Sequence, residues 1–425
     1  MDILVIGSGG REHAIIRKLK QSKNAGKIFA APGNGGISAD AVCVDIKATD
    51  VDAVVKFAKE NKIGYVVVTP DDPLVLGMVD ALNKEGIMAF GPTKAAAAIE
   101  GSKVFSKNLM KKYKIPTAAY ETFCSSDDAV RYIKENSKYP LVIKADGLAL
   151  GKGVIIAEDE EQAIAAVGSM MEDRIFGDSG SNIVIEEFLT GIEVSVLAFT
   201  DGVSMIPMAS SMDHKRVYDG DKGPNTGGMG TIAPHPLYSE DVAKRCMSEI
   251  FIPTMNAMNT EGRTFRGCLY FGLILCEDGP KVIEYNCRFG DPETQVVLEL
   301  LDGDLLDIML AATNGSLCEA DVKTKQGAAA CVIIASGGYP AEYKKGYEIS
   351  GLDSFGQADG ATVYHAGTTC LNGKYLSNGG RVLGVTALGG TLQQAIDNAY
   401  EKVSKISFKD CYYRSDIGKK VLELS

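Results

Sequence analysis

The chain has 425 residues, of which 45% are hydrophobic and 23% charged, and its formal net charge is −11. That length suits two to four domains with ordinary packed cores. The acidic balance argues against a general nucleic-acid or membrane-surface role, and no apolar run reaches the ~18 residues of a membrane span. Any anionic ligand must therefore be held by local positive groups.

The opening MDILVIG lacks the basic leader and small-residue cleavage site of a signal peptide, and reads as a buried strand. A soluble, cytoplasmic protein is expected. Over the first hundred residues, strand signals (ILVIG, KIFAAPG, VVVTP, MAFGP) alternate with helical stretches such as VDAVVKFAKENK. This alternation predicts a parallel sheet wrapped by helices, with ligands at the carboxyl ends of the strands. GPTKAAAAIEGSKVFSKNLMKKYKIP predicts one long helix ending near Pro116.

A second strand-rich region follows in YPLVIKADG, KGVIIAED, NIVIEEF and EVSVLAFT, interrupted by the helical EEQAIAAVGSMMED. Residues 213–236 are dense in Gly, Pro and Asp and predict irregular structure. A third apolar region runs from CLYFGLILC through KVIEYN into VVLELLDGDLLDIMLAA. The last hundred residues, with AACVIIASGG, ATVYHAGT and RVLGVTALG, predict a small separate α+β domain. The ten cysteines form no CxxC pair and most sit in apolar surroundings. Buried free thiols are expected, with a zinc site or disulfide framework as the alternative.

The first chemically suggestive stretch is Gly7-Ser8-Gly9-Gly10-Arg11-Glu12-His13, between a strand and a helix. Glycines there let backbone N–H groups approach a phosphate. The dinucleotide fingerprint would need glycine where Glu12 stands, and the second strand runs into Ala30-Ala31-Pro32-Gly33 without its ribose-binding acid. A phosphate site for a smaller ligand and a purely structural turn both remain open.

Lys144 ends a predicted buried strand and is followed by Gly147, Gly151, Lys152 and Gly153. Three residues separate Gly147 from Gly151, one too few for a P-loop. A lysine buried in IVIK is costly unless an anion compensates it, and a triphosphate is such an anion. The alternative is a lysine that snorkels to the surface. Downstream, Glu186-Glu187-Phe188 ends one strand and Glu193 begins another. An acidic pair at a strand end is either solvated or, with Lys144 upstream, part of a nucleotide slot.

In KVIEYNCRFGDPE, a strand would put Glu284, Asn286 and Arg288 on one face. A carboxylate beside an amide oxygen suits magnesium, and arginine can grip a phosphate or carboxylate in bidentate fashion. A satisfied surface salt bridge is the plainer reading. Asp213-His214-Lys215-Arg216 and Gly223-Pro224-Asn225-Thr226-Gly227-Gly228-Met229-Gly230 either serve a ligand or simply connect.

Taken together, GSGGREHA, APGNGG, GPTKAAAAIEGSK, IKADGLALGKGV, IEEFLTGIEVSV, DHKRVYDGDKGPNTGGMG and IEYNCRFGDPETQ appear in this order, with GGRVLGVTALG and YRSDIG near the C-terminus. The chain resembles the ATP-grasp superfamily and, within it, the glycinamide ribonucleotide synthetase family. Two positions depart from that pattern. Asp71-Asp72 stands where a glutamate is usual, and Leu150 replaces a small residue in the glycine loop.

The resemblance implies an α/β and α+β multidomain fold. Residues 1–100 would form an N-terminal parallel-sheet substrate-binding domain. Residues 101–326 would form a two-lobed ATP-grasp domain with a mobile lid lobe at about 121–192, and residues 327–425 a C-terminal α+β domain. It implies that Lys103, Lys144, Lys152, Gly151 and Gly153 handle the ATP phosphates, and that Glu186, Glu187, Phe188 and Glu193 contact adenine and ribose. Glu284 and Asn286 would bind Mg2+ or Mn2+. Arg288, Lys144, Lys152 and Asp213 would be catalytic. Gly9, Gly10, Asn34, Asp213, Lys215, Asn225, Thr226, Gly228 and Arg288 would bind substrates. The implied reaction is ATP-dependent ligation of glycine to 5-phosphoribosylamine through a glycyl phosphate, by a monomer or weak homodimer without nucleic-acid or membrane partners. Another ATP-grasp ligase, such as a biotin carboxylase or dipeptide ligase, would need its own substrate motifs in place of GPNTGGMG. A non-catalytic nucleotide-binding regulator would be free to lose Lys144, Glu284 or Asn286.

Overall fold

The computed structural model describes residues 1–135, 138–148, 153–317 and 322–424, apart from the side chain of Asp178. Five strands open the chain: β1 (Ile3–Gly7), β2 (Ile28–Pro32), β3 (Val42–Cys43), β4 (Tyr65–Val68) and β5 (Ala89–Phe90). They form a parallel sheet in the order β3-β2-β1-β4-β5. Every residue of β1 is buried, as its unbroken apolar run requires of a strand covered on both faces. The strand order reverses at β1, so the crevice beyond its carboxyl end is where such sheets receive ligands.

The expected long helix after β5 is instead two helices, Lys94–Gly101 and Lys103–Tyr113. Ser102 breaks them. Its backbone is extended (φ −138°, ψ 112°), and its hydroxyl accepts the Phe105 N–H at 3.1 Å. A serine that satisfies a first-turn donor competes with helix continuation. The second helix therefore starts at Lys103 and donates its Val104 N–H to Asp146 at 3.1 Å.

The next sheet comprises β6 (Tyr120–Phe123), β7 (Leu141–Ala145), β8 (Val154–Ala157) and β9 (Ile183–Glu187), all antiparallel in the order β6-β9-β7-β8. Its core is its own. Ala129 and Ile133 from one helix and Ala163 and Val167 from another pack on Ile143 and Ile185, and the whole cluster is drawn from residues 123–185. This lobe therefore shares no core cluster with its neighbours among the described residues.

The chain continues through β10 (Ile192–Thr200), β11 (Met205–Pro207), β12 (Met212–Asp213), β13 (Arg216–Tyr218), β14 (Lys222–Asn225), β15 (Gly230–Ala233), β16 (Gly267–Cys276) and β17 (Gly279–Asn286). The stretch 213–236, expected to be irregular, thus contains short strands. Gly220 and Gly228 adopt φ of 70° and 109° in the reversals that connect them, and Gly223, at 78°, lies within β14. Strands β11, β10, β16 and β17 form an antiparallel base sheet facing the lobe just described. Between β16 and β17 the pairing slips: Glu284 opposes Gly272 while Val282 opposes Leu273, leaving Ile283 as the extra residue of a bulge.

The C-terminal segment forms the α+β unit expected, around a core drawn mostly from residues 328–422, but its sheet reaches beyond it. Its strands Ala328–Ser336, Arg381–Gly389 and Thr362–His365 share one sheet with β12 and β15. The stretch between Asp213 and Gly230 therefore hangs from the C-terminal sheet. Among the described residues no helix is long and apolar enough to cross a membrane. The nine described cysteines are free thiols, but Cys43, Cys124 and Cys370 are exposed rather than buried. Cys318 lies outside the described residues.

Candidate active site

A cleft of about 640 Å³ lies between the lobe sheet and the base sheet. Its walls bring together Lys103, Lys144, Gly153, Glu186, Glu187, Phe188, Glu193, Asp213, Lys215, Asn225, Thr226, Glu284, Asn286 and Arg288. Convergent polar groups in a large apolar-walled cleft are the usual mark of a ligand site. Gly9, Gly10, Asn34 and Gly228 do not belong to these walls. Gly151 and Lys152 lie outside the described residues, as does Leu150.

At one end, the buried side chain of Lys144 meets Glu186 Oε1 at 3.0 Å and donates to the Ile283 carbonyl at 3.2 Å. The bulge supplies that acceptor, because Ile283 is the residue left over from the β16–β17 ladder. The lysine's compensating anion is thus already a protein carboxylate. Glu186 Oε2 in turn pairs with Lys107 at 2.8 Å, and both side chains are buried. Burial, helped by Lys144, lowers the Lys107 ammonium to about 8 despite Glu186. Lys103 donates to the Gly147 carbonyl at 2.6 Å, and burial lowers its pKa too. Glu187 accepts the Ala119 N–H at 2.9 Å, tying β9 to the segment before β6. The Phe188 ring remains exposed.

At the other end, burial opposes the charge of Glu284, but Lys215, Lys144, Lys103 and Arg288 together hold its carboxyl below the usual range. Lys215 lies 3.2 Å from Glu193 and 4.0 Å from Glu284, and Glu193 chiefly raises its pKa. Asn286 Oδ1 accepts from Arg288 at 3.3 Å. An ionised carboxylate and an amide oxygen at the end of one strand form a hard-donor set that a divalent ion could join, with phosphate oxygens completing its shell.

Arg288 is itself engaged. It meets Glu100 at 3.0 Å and Asp71 at 3.8 Å, while its buried Nε has no hydrogen-bond partner among the described residues. The Asp71 departure therefore faces this guanidinium. Asp213 Oδ1 is also buried without a partner. Burial and the neighbouring Glu293 push the Asp213 carboxyl well above its ordinary value. Glu293 accepts from Tyr270 at 3.0 Å and Ser195 at 3.3 Å.

The glycine turn resolves in favour of structure at two atoms. Glu12 reaches back to accept the Gly9 N–H at 2.6 Å, closing the start of helix Gly10–Leu19. A side chain on Gly7, whose φ is 123°, would collide with that carboxylate. Asn34 is fully used: its amide donates to Ser8, His365 and Ala366 carbonyls, and its oxygen accepts from Gly36 and Ile37. Thr226 is turned to the Lys215 carbonyl at 2.8 Å and the Gly228 N–H at 3.0 Å, leaving Asn225 exposed beside it.

Sequence reasoning missed Lys107, Glu100, Glu293 and Arg381. Lys107 carried a signal, since it follows Lys103 by four positions on one helix face. Glu100 and Glu293 gain meaning only through partners distant in sequence. Arg414, within YRSDIG, is buried and binds Asp416 at 2.7 Å, Asp221 at 3.1 Å and the Arg216 carbonyl at 3.0 Å, so it holds the β13–β14 hairpin.

Three family models for phosphoribosylglycinamide synthetase match the chain: the N domain over residues 1–100, the ATP-grasp (A) domain over 101–294 and the C domain over 329–420. The chain is 47% identical to the phosphoribosylamine–glycine ligase of Rhodopirellula baltica over 427 aligned residues, covering 99% of this chain and 98% of that one. It is 48% identical to that of Caldanaerobacter subterraneus subsp. tengcongensis, covering 98% and 99%. Among solved structures, the phosphoribosylamine–glycine ligase of Thermotoga maritima superposes with a TM-score of 0.86 at 33% identity, covering 98% of this chain and all of that one.

Proposed function

The chain belongs to the phosphoribosylglycinamide synthetase family, and from that premise we propose how its own residues carry out the family's reaction. The enzyme joins glycine to 5-phosphoribosylamine at the expense of ATP, giving glycinamide ribonucleotide, ADP and phosphate in purine biosynthesis. The observation that carries the residue assignment is that Lys144 on β7 reaches across the cleft to β17 at Ile283, next to Glu284. A triphosphate lying there meets a cation from one sheet and oxygen donors from the other.

In this reading Glu186, Glu187 and Phe188 hold adenine, the phenylalanine through its backbone, and Glu193 holds ribose. Lys103 and Lys144 hold phosphates, and Lys152, with Gly151 and Gly153, reaches them from the glycine loop. Glu284 and Asn286 hold a divalent ion, magnesium or manganese, which when bound neutralises phosphate charge. The unpartnered Nε–H of Arg288 is an available donor for glycine's carboxylate or the transferring phosphoryl group. Asp213, beside Glu293, orients the amino group, and Lys215 helps to fix the acid. The carboxylate attacks the γ-phosphate, and the amine of phosphoribosylamine then displaces phosphate from the acyl carbon. Because a glycyl phosphate hydrolyses in water, the lobe with its own core is suited to close over the cleft. The sugar phosphate approaches the crevice beyond β1 and β4, near Gly9, Gly10 and Asp71, where backbone groups must serve because the Asn34 side chain is saturated. A cytoplasmic location and a monomeric or weakly dimeric state complete the reading.

The test is phosphate release from ATP with glycine and phosphoribosylamine supplied together and separately. Release is expected only when both are present, and turnover indifferent to glycine would reject the assignment.

A further inference from the structure

We propose that Arg381, from the C-terminal sheet, is the positioning residue that sets the geometry of the substrate end of the cleft. The inference rests on the function proposed above. Arg381 does not belong to the cleft walls, so it acts through what it holds.

Its guanidinium joins two segments distant in sequence. On one side it donates to the carbonyls of Gly227 and Gly228. On the other it donates to the Asp291 carbonyl at 2.9 Å and pairs with the Asp291 carboxylate, also at 2.9 Å. The first segment follows Asn225 and Thr226; the second follows Glu284, Asn286 and Arg288. A flat, five-donor fork is the group able to serve carbonyl and carboxylate acceptors on two sides at once, and lysine's point charge is not.

The packing around the fork is tight enough to transmit its position. A Cβ at residue 227 would lie 3.0 Å from the guanidinium carbon, so glycine is what lets the fork lie against the loop. A Cβ at 228 would lie 2.6 Å from Asp213 Oδ1 and closer still to Pro292. The backbone that Arg381 grips is therefore the surface against which the Asp213 carboxylate packs. Asp291 passes the connection onward, accepting from Gln295 at 2.8 Å, and Gln295 lies against Gly10 of the N-terminal glycine turn. One side chain thus ties the C-terminal sheet to the substrate loop, the turn after the metal strand and, through two intermediaries, the N-terminal domain. None of these contacts reaches Lys107, Lys144 or Glu186, where the nucleotide is assigned.

The decisive experiment compares wild type with Arg381→Lys, with Arg381→Ala as a second variant assayed with and without millimolar guanidinium. Nucleotide affinity is measured by ADP calorimetry alongside steady-state KM and kcat. In Arg381→Lys, kcat/KM for glycine is expected to fall by about 10²-fold, the scale of a small misplacement of reacting groups, while ADP affinity is unchanged. Added guanidinium is expected to recover part of the activity of Arg381→Ala. A variant that loses thermal stability but keeps wild-type kcat/KM for glycine overturns the proposal, as does a parallel loss of ADP affinity. Wild type that releases phosphate without glycine would instead defeat the functional reading.

Discussion

The two ends of the cleft settle their charges differently. At the nucleotide end, Lys107, Glu186 and Lys144 form a buried set in which each charge has an opposite within 3.0 Å. At the end proposed for acyl transfer, Arg288 has Glu100 at 3.0 Å, but its Nε and Asp213 Oδ1 are buried without hydrogen-bond partners among the described residues, as is Glu186 Oε1 at the first end, and burial with Glu293 pushes the Asp213 carboxyl upward. Unpaired buried polar groups cost stability, and a protein retains them where a ligand completes them. In the proposed reading, the Lys107–Glu186–Lys144 set holds its charges within the fold, whereas Asp213, with no cation within ion-pair distance among the described residues, is completed by substrate.

Substitutions at the two ends should then fail in different ways. The largest effect is expected from Glu284→Gln, which removes the charged donor facing the phosphates. Its kcat should fall by about 10²–10³-fold in a phosphate-release assay, with little change in thermal stability. Lys107→Met should do the reverse, because it takes from the buried Glu186 the nearer of its two lysines and leaves only Lys144. A stability loss of about 3 kcal/mol is expected by denaturant unfolding, with kcat nearly retained at saturating ATP. A rise in the KM for glycine without loss of stability would erase the distinction between the ends.

Asp213→Asn sharpens the comparison through pH. Removing one charged contact to the amino group should lower kcat/KM for glycine by about 30-fold, equivalent to about 2 kcal/mol. The ionised carboxylate is the useful form, so wild-type kcat/KM should fall as pH drops through the raised Asp213 value, and this acid limb should be missing in the variant. Stability runs the other way. A carboxyl whose folded pKa is raised contributes most below the unfolded pKa, and that contribution is lost as pH rises through the folded one. Asp213→Asn should thus melt higher than wild type at neutral pH, a gain that disappears in acid. The smallest effect is expected from Ser102→Ala, which removes the cap separating two helices and should cost about 1 kcal/mol, read by thermal unfolding.

Much of this was legible in the sequence because it rests on local patterns. ILVIG read as a buried strand, and Lys144 at the end of IVIK read as a lysine that needs an anion unless it snorkels to the surface. Glu284 and Asn286 shared a face by strand periodicity. The identity of that anion was not legible, since Glu186 reaches Lys144 by pairing β7 with β9. The break at Ser102 was hidden because alanine-rich sequence on one side and a strong helix former on the other masked a single capping hydroxyl. The 213–236 stretch looked irregular because its strands are short, and β15, which pairs with β12, finds its other partner about a hundred residues away in the C-terminal sheet. Gly9 and Asn34 were assigned to the substrate by the resemblance, and local sequence did not show that Glu12 holds the Gly9 N–H or that the His365 and Ala366 carbonyls hold the Asn34 amide.

The central claim is that β7 and β17 grip one triphosphate between them. Calorimetry with a non-hydrolysable ATP analogue, with and without magnesium, tests it most directly in wild type, Glu284→Gln and Lys144→Met. Magnesium should tighten binding in wild type and have no such effect in Glu284→Gln, whereas Lys144→Met should bind weakly in both conditions. A Glu284→Gln enzyme whose affinity still rises with magnesium as in wild type would contradict the account.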